Sequence, residues 1–374
     1  MTDETINGAA SQAQGKFQKG VGKLVGDQKL QVEGAYNDAK GKIEAFTAEQ
    51  TNAMMGGLKL PPIAILTVVL YTIGYFLRLY VMTKISKSGD PASVRRYFVE
   101  EKVIALPMSV VTLQQAPLKV SGQAVFAFSQ SGQSPDLVNS LRLLRKRGAL
   151  SIAMVNAEDS PLEAACEFSL PLCAGTESSV AATKSFIATL SASARLVAHW
   201  KQDAELLEAG LELPQGLRDA ATQDWTPAID ALRDCQRLMV IGRGAGFAIA
   251  QEAALKLKET SAIQAEAFSS AEVKHGPMAL ISDNYPLLVF APRGAEQAGL
   301  LSLAAEMRQR GARVLLAAPD DVSERDLTLS RAEHPALDPI LAIQSFYVMA
   351  AGLAQARGMD PDQPRHLSKV TRTH

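Results

Sequence analysis

Charged residues at helical spacing in the second half of the chain are the first feature that could do chemistry. Glu252, Lys256 and Glu259 are separated by four and three positions, so on a helix their side chains lie on one face. A solvated stripe of ion pairs is the ordinary alternative for this spacing. A functional site is favoured because His275 precedes a Gly-Pro pair nearby, and on such a turn its titratable imidazole can face a ligand.

A hydroxyl-rich turn lies between an apolar run at 125–128 and a helical pattern. Its six positions are Ser129, Gln130, Ser131, Gly132, Gln133 and Ser134. Hydroxyls and free backbone N–H groups at a helix start can surround a phosphate, and the glycine lets the backbone approach closely. The turn has no Lys-Ser or Lys-Thr pair, which argues against a nucleotide P-loop. A helix capped by Ser134 or Asp136 is the alternative, and the residues alone leave both open.

A second stretch rich in hydroxyls occupies residues 174–184. It contains Val180 and precedes a helical pattern that runs from 186 to 200. Its Ser and Thr side chains could close over a sugar or cap that helix. The residues alone do not choose between these interpretations.

From about residue 100, strand-like apolar runs alternate with amphipathic helical patterns, which is typical of α/β proteins with parallel sheets. One layout also recurs. Two apolar runs flank an Arg-Gly-Ala step in each of two places, 125–128 and 152–155 around Gly148, then 288–291 and 315–318 around Gly311. Each glycine is placed to end a helix before the next strand. We therefore expect two copies of one βαβ unit.

Composition places the chain among globular proteins. Its 374 residues are 47% hydrophobic and 21% charged, enough for two domains that each bury a core. The formal net charge is −1 and the basic residues are spread along the chain, which excludes a nucleic-acid partner. The absence of a secretory signal at the start favours a cytoplasmic location.

The three cysteines, Cys166, Cys173 and Cys235, lack metal-ligand spacing. Their small odd number suits a reducing compartment better than a disulfide framework. We interpret them as small buried apolar side chains. The histidines and cysteines form no ligand cluster in the sequence, so we expect no metal and no organic cofactor.

The first part of the chain, residues 1–58, differs in composition from the rest. It is polar and rich in Gly, Lys, Gln and Ala, which allows helices or a disordered tail but no core. Repeated Gly-Lys steps, as at Gly15 and Gly41, together with Glu33-Gly34, resemble the small CsbD-like stress-response family. That resemblance implies no chemistry.

An apolar segment at 59–84 separates this tail from the regular part. Within it, 61–82 carries Arg78 as its sole formal charge, and its length suits a helix that spans a membrane. Its β-branched residues suit a buried strand equally well. Membrane association through 61–82 and a strand of the sheet are therefore alternative predictions.

Five motifs, in order over roughly 250 residues, resemble the isomerase half of glucosamine-6-phosphate synthase. They are Ser129-Gln130-Ser131-Gly132, Ala174-Gly175-Thr176-Glu177, Ala254 to Glu259 (ALKLKE), Lys274-His275-Gly276-Pro277, and Asp362-Gln363-Pro364-Arg365 with Lys369. The resemblance implies two sugar isomerase (SIS) domains, each a parallel sheet flanked by helices, usually assembled as a homodimer. We place the first at 85–220, truncated at its N-terminus, and the second at 221–374.

The resemblance implies a binding site for a sugar phosphate. The family turn that matches Ser129, Gln130, Ser131 and Ser134 binds the phosphate. Val180 matches a position that lines the same pocket. The small-molecule partner implied is therefore a sugar phosphate.

Catalytic roles are implied in the same way. Glu259 matches the carboxylate that moves a proton between C1 and C2, and Lys256 is placed to hold it ionised. His275 matches a histidine that assists ring opening, often from the partner subunit. Lys369 matches a lysine that forms a Schiff base with the open-chain ketose.

Departures from the synthase define the expected reaction. No glutamine-hydrolysing domain precedes the isomerase part, and Thr2 stands where a nucleophilic cysteine would follow Met1. We therefore expect no glutaminase activity, and a reaction like that of stand-alone SIS-type glucosamine-6-phosphate deaminases, which form fructose 6-phosphate and ammonia. The usual Gly-Thr-Ser turn of the first domain is replaced by residues 86–93, so 61–82 must supply a strand or leave an exposed sheet edge.

Two alternatives come from other classes of protein. A non-catalytic SIS regulatory module would bind a sugar phosphate and needs only the phosphate-binding turns. Retention of Glu259, His275 and Lys369 together argues against it. The other alternative is a membrane-associated stress protein that acts through its first 83 residues and carries an inert SIS part.

Overall fold

The computed structural model describes residues 65–69 and 103–369. The CsbD-like segment at 1–58 and the altered turn at 86–93 lie outside the described residues. Predictions on those two segments therefore stay predictions.

The chain divides after Gly175 into two compact units. In their described parts, the first unit comprises 65–69 with 103–175, and the second unit comprises 176–369. Each is described by itself. The predicted domain boundary between 220 and 221 stays a prediction.

The first unit is built on a five-stranded parallel sheet with strand order β2-β1-β3-β4-β5. The strands are β1 (Ile65–Val69), β2 (Val103–Leu106), β3 (Ala124–Ser129), β4 (Leu150–Val155) and β5 (Phe168–Pro171). Helices α1 (Met108–Thr112), α2 (Pro135–Lys146) and α3 (Pro161–Ala165) follow β2, β3 and β4. Every residue of β3 and β4 is buried, which explains why both sequences are almost continuously apolar.

Strand β1 comprises five residues, Ile65–Val69, of the apolar segment 61–82. Ile65 pairs with Val103 on one side and with Ala124 on the other, so the strand lies inside the sheet between β2 and β3. Its β-branched sequence suits that interior position. The predicted strand is confirmed, and the alternative of a continuous membrane helix is wrong for these five residues.

The second unit begins with three helices, α4 (Lys184–Trp200), α5 (Ala204–Ala221) and α6 (Thr226–Leu232). A second parallel sheet follows, with strand order β10-β9-β8-β6-β7. Its strands are β6 (Arg237–Gly242), β7 (Gln264–Ser269), β8 (Pro286–Phe290), β9 (Arg313–Ala318) and β10 (Leu327–Thr328). Helices α7 (Ala245–Ser261), α8 (Gln297–Gln309) and α9 (Asp338–Ala356) follow β6, β8 and β10.

The two sheets have the same topology. Numbered within its own unit, each sheet has its strands in the order 2-1-3-4-5. The segment β3-α2-β4 therefore corresponds to β8-α8-β9, and in both the residue after the helix C-cap is a glycine with left-handed φ, +87° at Gly148 and +86° at Gly311. The predicted α/β fold with two copies of one parallel-sheet unit is confirmed.

The segment Pro335–Ala356, which includes α9, is long and apolar enough to cross a membrane, by length and composition alone. However, 72% of its apolar window is buried inside the fold. Within the second unit it packs against α5 and α7. It therefore has the character of a core helix.

The cysteines differ in exposure. Cys166 is buried, Cys235 is half-buried and Cys173 is exposed. The prediction of three buried cysteines is therefore wrong for Cys173, because this residue lies in the polar loop after β5.

Candidate functional site

The hydroxyl-rich turn follows β3 at the carboxyl edge of the first sheet. Ser129 is buried, and its Oγ accepts a hydrogen bond of 2.9 Å from the Gly132 N–H. Gly132 has a φ of +63°, and a Cβ there would lie 2.4 Å from the Oγ of Ser160. Glycine is therefore required, both for the backbone conformation and for the close packing.

Ser134 is the N-cap residue of α2, but its side chain makes no capping hydrogen bond. The prediction that Ser134 caps this helix is therefore wrong. Pro135 occupies the first helical position, which fixes the backbone without supplying a donor. The Ser134 hydroxyl and the helix N-terminus are thus placed together on the turn, an arrangement that suits an anion.

The loop after β4 holds this turn in place. The N–H groups of Asn156 and Ala157 donate to the carbonyls of Ser129 and Gln130, at 3.2 and 3.0 Å. The Asn156 side chain accepts from the Ala174 N–H and donates to the Gly175 carbonyl, each at 2.8 Å. Asn156 therefore connects the beginning of the 174–184 stretch to the turn after β3.

Within the second unit, Glu177 rather than a hydroxyl caps α4. Its Oε2 accepts hydrogen bonds from the backbone N–H and from the Oγ of Ser185, at 2.8 and 2.9 Å. Glu177 is buried, and the Lys184 ammonium donates to the Thr176 carbonyl at 2.6 Å. The stretch therefore caps α4, but through a carboxylate and not through its Ser or Thr hydroxyls, since the N-cap residue Thr183 makes no capping hydrogen bond.

The charged residues of α7 form one buried cluster. Lys256 Nζ lies 3.2 Å from Glu252 Oε1 and 2.7 Å from Glu259 Oε2. The side chains of Glu252 and Lys256 are 3% and 6% exposed, whereas that of Glu259 is 22% exposed. The solvated stripe of ion pairs is therefore wrong, and Glu259 is the member of the cluster that reaches solvent.

Burial and mutual charge set the protonation of this cluster. Burial raises the pKa of Glu252, and the Lys256 ammonium and a hydrogen bond from Tyr347 oppose that rise. Burial disfavours the Lys256 ammonium, but Glu252 and Glu259 outweigh it and raise the pKa of Lys256. Lys256 is therefore an ammonium held between two carboxyl groups.

Val180 and Lys369 are brought together by the C-terminal segment. The Val180 N–H donates to the Asp362 carbonyl at 3.1 Å, and Lys369 Nζ donates to the carbonyl of Ser179. Burial lowers the pKa of Lys369, the Lys184 charge adds to that effect and Glu177 opposes it. A lysine with a lowered pKa has more of the neutral amine that imine chemistry needs.

His275 lies apart from these contacts. It ends a short 3-10 helix, Glu272–His275, and is exposed. The next residue, Gly276, is the N-cap residue of a second 3-10 helix, Pro277–Leu280, so the predicted turn is present. Its exposed ring agrees with the expectation of a histidine that acts at a neighbouring subunit, which stays a prediction.

Sequence reasoning missed two residues of this site, Tyr347 and Glu177. The Tyr347 hydroxyl donates to Glu252 Oε1 at 2.8 Å, and Glu177 acts electrostatically on both Tyr347 and Lys369. Tyr347 lies 95 positions from Glu252, so no local spacing could have identified it. Glu177 is part of a recognised motif, but capping is a tertiary contact that the motif does not reveal.

Within 65–69 and 103–369, no group of three or more His, Cys, Asp or Glu residues could hold a metal ion. The acidic residues of the α7 cluster are already paired with a lysine.

Known proteins share this arrangement. The SIS domain pattern matches residues 113–198 and again 231–323. A solved structure from Silicibacter pomeroyi DSS-3, assigned as a phosphosugar isomerase, is 33% identical, with 85% of this chain and 93% of that chain covered and a TM-score of 0.72. The duplicated fold and its polar turns thus define the class of α/β proteins that includes phosphosugar isomerases. Within that class, the chain belongs to the SIS domain family, as predicted.

Two further comparisons extend this result. Glutamine–fructose-6-phosphate aminotransferase (isomerizing) of Thermotoga maritima is 30% identical over 296 residues, which are 74% of this chain and 48% of that protein. The chain thus spans about half the length of the curated relatives it matches. A solved glucosamine-6-phosphate deaminase of Thermotoga maritima, 21% identical with a TM-score of 0.66 and coverage of 88% and 97%, shares the fold.

Proposed function

We propose that the chain is an aldose–ketose isomerase of amino-sugar phosphates that works as a deaminase. In this reaction glucosamine 6-phosphate and water give fructose 6-phosphate and ammonia, without glutamine. One observation carries the proposal: the buried Glu252–Lys256 pair holds Glu259, whose side chain is 22% exposed. A carboxylate held next to an ammonium and open to solvent is suited to act as a base on a carbon acid.

The proposed reaction begins with the open-chain aldose. Glu259 removes the C2 proton while O1 takes a proton from solvent, which gives an enolamine. Glu259 then returns its proton to C1 and the nitrogen releases one proton to solvent, which gives the C2 imine of the ketose. The neutral amine of Lys369 attacks C2 of that imine, and ammonia leaves. Water then hydrolyses the lysine imine, which releases fructose 6-phosphate and restores Lys369. The lowered pKa of Lys369 supports its role as the nucleophile.

Binding and ring opening are assigned to other residues. The turn residues Ser129, Gln130, Ser131 and Ser134 bind the phosphate through hydroxyls and backbone N–H groups, an assignment supported by the absence of a capping hydrogen bond from the Ser134 side chain. His275 assists ring opening as a residue contributed within a homodimer, which its exposure supports.

Synthesis and deamination of the amino sugar use the same proton transfer between C1 and C2. The deaminase assignment therefore needs its own support. The described groups supply a base and an imine-forming amine, and water completes the reaction as the co-reactant. The fold shared with a solved glucosamine-6-phosphate deaminase agrees with this direction. Specificity between glucosamine and galactosamine 6-phosphates depends on the fit of one hydroxyl group.

Ammonia release from glucosamine 6-phosphate by the purified full-length chain tests the proposal, with galactosamine 6-phosphate as competing substrate. Glu259→Gln should lower kcat by about 10²- to 10⁴-fold, because loss of a general base typically costs that much. Glu212→Gln is the matched control, since Glu212 is exposed on α5. Unchanged ammonia release in Glu259→Gln would show that another group is the base. Folded wild-type protein that binds fructose 6-phosphate without turnover would instead identify a sugar-phosphate-binding module.

A further inference from the structure

Tyr347 places a hydroxyl group inside the apolar core of the second unit. It lies on α9, most of whose residues are buried, and is itself 9% exposed. A buried hydroxyl is costly unless it finds a hydrogen-bond partner. Its partner is Glu252 Oε1 at 2.8 Å, the same oxygen that lies 3.2 Å from Lys256 Nζ. The phenol therefore extends the charged cluster by one member.

The contacts from Tyr347 through Glu252 and Lys256 to Glu259 form a series, and each contact depends on the protonation of the next group. Glu252 is 2% exposed, so burial favours its neutral form, and the two donors on Oε1 favour the carboxylate. If Glu252 took up a proton, Lys256 would face Glu259 alone and would lose half of the negative charge that keeps it an ammonium. The hydrogen bond from Tyr347 to Glu252 thus favours the protonated form of Lys256, although Tyr347 does not bond to Lys256.

We propose that Tyr347 is a positioning residue that holds Glu252 as a carboxylate, so that Lys256 stays an ammonium and presents Glu259 to the substrate. This inference rests on the proposed function of the cluster. Tyr347 makes its contact to Glu252 and not to Glu259, so it acts through two intervening residues.

The groups that form or act on the cluster come from three segments of the second unit, which are α7, α9 and the stretch before α4. Helix α7 supplies both carboxyl groups and Lys256, and α9 supplies Tyr347. Glu177, before α4, acts on Tyr347 and also on Lys369 near the C-terminus. Burial raises the pKa of Tyr347 well above its usual value, and the charge of Glu252 adds to this. The phenol is therefore a donor throughout the working pH range.

Tyr347→Phe is the test, because it removes the hydroxyl and keeps the ring. Carbon NMR of glutamate labelled at the side-chain carboxyl carbon follows the titration of Glu252, whose signal is assigned by its loss in Glu252→Gln. The pH midpoint of this titration should rise by roughly one pH unit in Tyr347→Phe. Tyr285→Phe is the matched control, since Tyr285 is also buried but contacts Arg237 instead of the cluster. An unchanged Glu252 midpoint in folded Tyr347→Phe would overturn the proposal.

Turnover gives a second readout. With Glu252 neutral, Lys256 loses one of its two carboxylate partners and its pKa falls, so the basic limb of kcat should move to lower pH while KM stays nearly constant. In a Glu252→Gln background, Tyr347→Phe should move that limb no further, because the intermediary is gone. A limb that still moves would overturn the proposal. If the Glu252 midpoint rose in Tyr347→Phe while the wild-type protein showed no turnover, the effect of Tyr347 on Glu252 would stand and the isomerase function would be refuted.

Discussion

The turns after the third strand of each unit hold the same place in the repeat but carry different side chains. After β3 the first unit has Ser129-Gln130-Ser131-Gly132, whereas after β8 the second unit has Ala291-Pro292-Arg293-Gly294. The helix after the first turn has Ser134 as its N-cap, while the helix after the second has Glu296. Asp136 adds a carboxylate to the first turn of α2, so the two helix starts differ in their N-cap side chain, a hydroxyl in the first unit and a carboxylate in the second.

Arg293 gives the second turn a positive charge, but that charge is paired with a carboxylate within the second unit. Its Nε and Nη2 each donate to Asp338 at 2.7 Å, and Nη2 also donates to the Ala332 carbonyl at 2.5 Å. Asp338 is 2% exposed and begins α9. Arg293 thus neutralises a buried carboxylate and fixes the start of the core helix.

The second unit instead carries its buried charged cluster on the helix that follows its first strand. Helix α7 presents Glu252, Lys256 and Glu259, whereas the turn after β8 is structural. A repeated fold thus fixes where polar groups can be presented at the sheet edge. Whether those groups bind a ligand or stabilise the fold depends on their local partners.

Arg293→Met should have the largest effect on stability, because it leaves Asp338 buried without its partner. We expect the free energy of unfolding to fall by about 2–4 kcal/mol. Urea unfolding followed by tryptophan fluorescence measures this, since Trp200 and Trp225 both belong to the second unit.

The control for this variant is Arg218→Met. Arg218 is exposed on α5 and bonds to Gln215 on the same helix, so its loss should cost less than about 0.5 kcal/mol. Affinity for fructose 6-phosphate should stay unchanged in Arg293→Met. A large loss of affinity with unchanged stability would mean that the second turn also binds ligand, and the comparison between the turns would fail.

Two N-cap serines in the first unit offer a sharper contrast. Each precedes a proline at the start of a helix, but the Ser160 Oγ accepts a hydrogen bond from the Glu163 N–H at 3.3 Å, whereas Ser134 makes no capping bond. Ser134→Ala should lower the affinity for fructose 6-phosphate by about thirtyfold, the cost of one hydrogen bond to a charged group. Its stability should change by less than about 0.5 kcal/mol.

Ser160→Ala should behave in the opposite way. Loss of a capping hydroxyl should lower the free energy of unfolding by about 1 kcal/mol, with little change in affinity. Isothermal titration calorimetry and denaturant unfolding separate the two quantities. If Ser134→Ala lost stability and kept its affinity, the Ser134 hydroxyl would be a cap, and the proposed phosphate site would lose its main support.

The sequence predicts most of the fold because the strands of a covered parallel sheet are short apolar runs that separate helical patterns. The recurring steps at Gly148 and Gly311 predict the duplication, since glycine at a helix end has a fixed conformational cause. The apolar segment 61–82 left two alternatives, because a buried strand and a membrane helix have similar composition. The pairing of β1 between two other strands decides this point.

The site is predicted less completely, because burial and tertiary partners decide the character of each polar group. The spacing of Glu252, Lys256 and Glu259 predicts their common face, but an exposed stripe has the same spacing. Tyr347 could not be inferred, since its partner lies on another helix. Capping by Glu177 instead of a hydroxyl depends on how the chain folds back on α4.

The smallest effects should come from the glycines that the two units share. Alanine at Gly148 or Gly311 must adopt a left-handed φ, which costs about 1 kcal/mol. The surroundings differ, since a Cβ at Gly148 would lie 3.1 Å from Ser121 Oγ, whereas one at Gly311 would lie 2.3 Å from Asp283 Oδ1. Asp283 is exposed, so the extra cost of Gly311→Ala should disappear in an Asp283→Ala background.

Hydrogen exchange of the buried amides in β3 and β8 reads the two units separately. Gly148→Ala and Gly311→Ala, the latter in the Asp283→Ala background, could lower the protection of these amides equally. That result would mean that both units retain the same C-terminal glycine cap although their turns have diverged. A loss of protection confined to one unit would mean that the two glycines no longer stabilise their helix ends equally. The similarity of the two units would then extend to their strand order but not to their energetics.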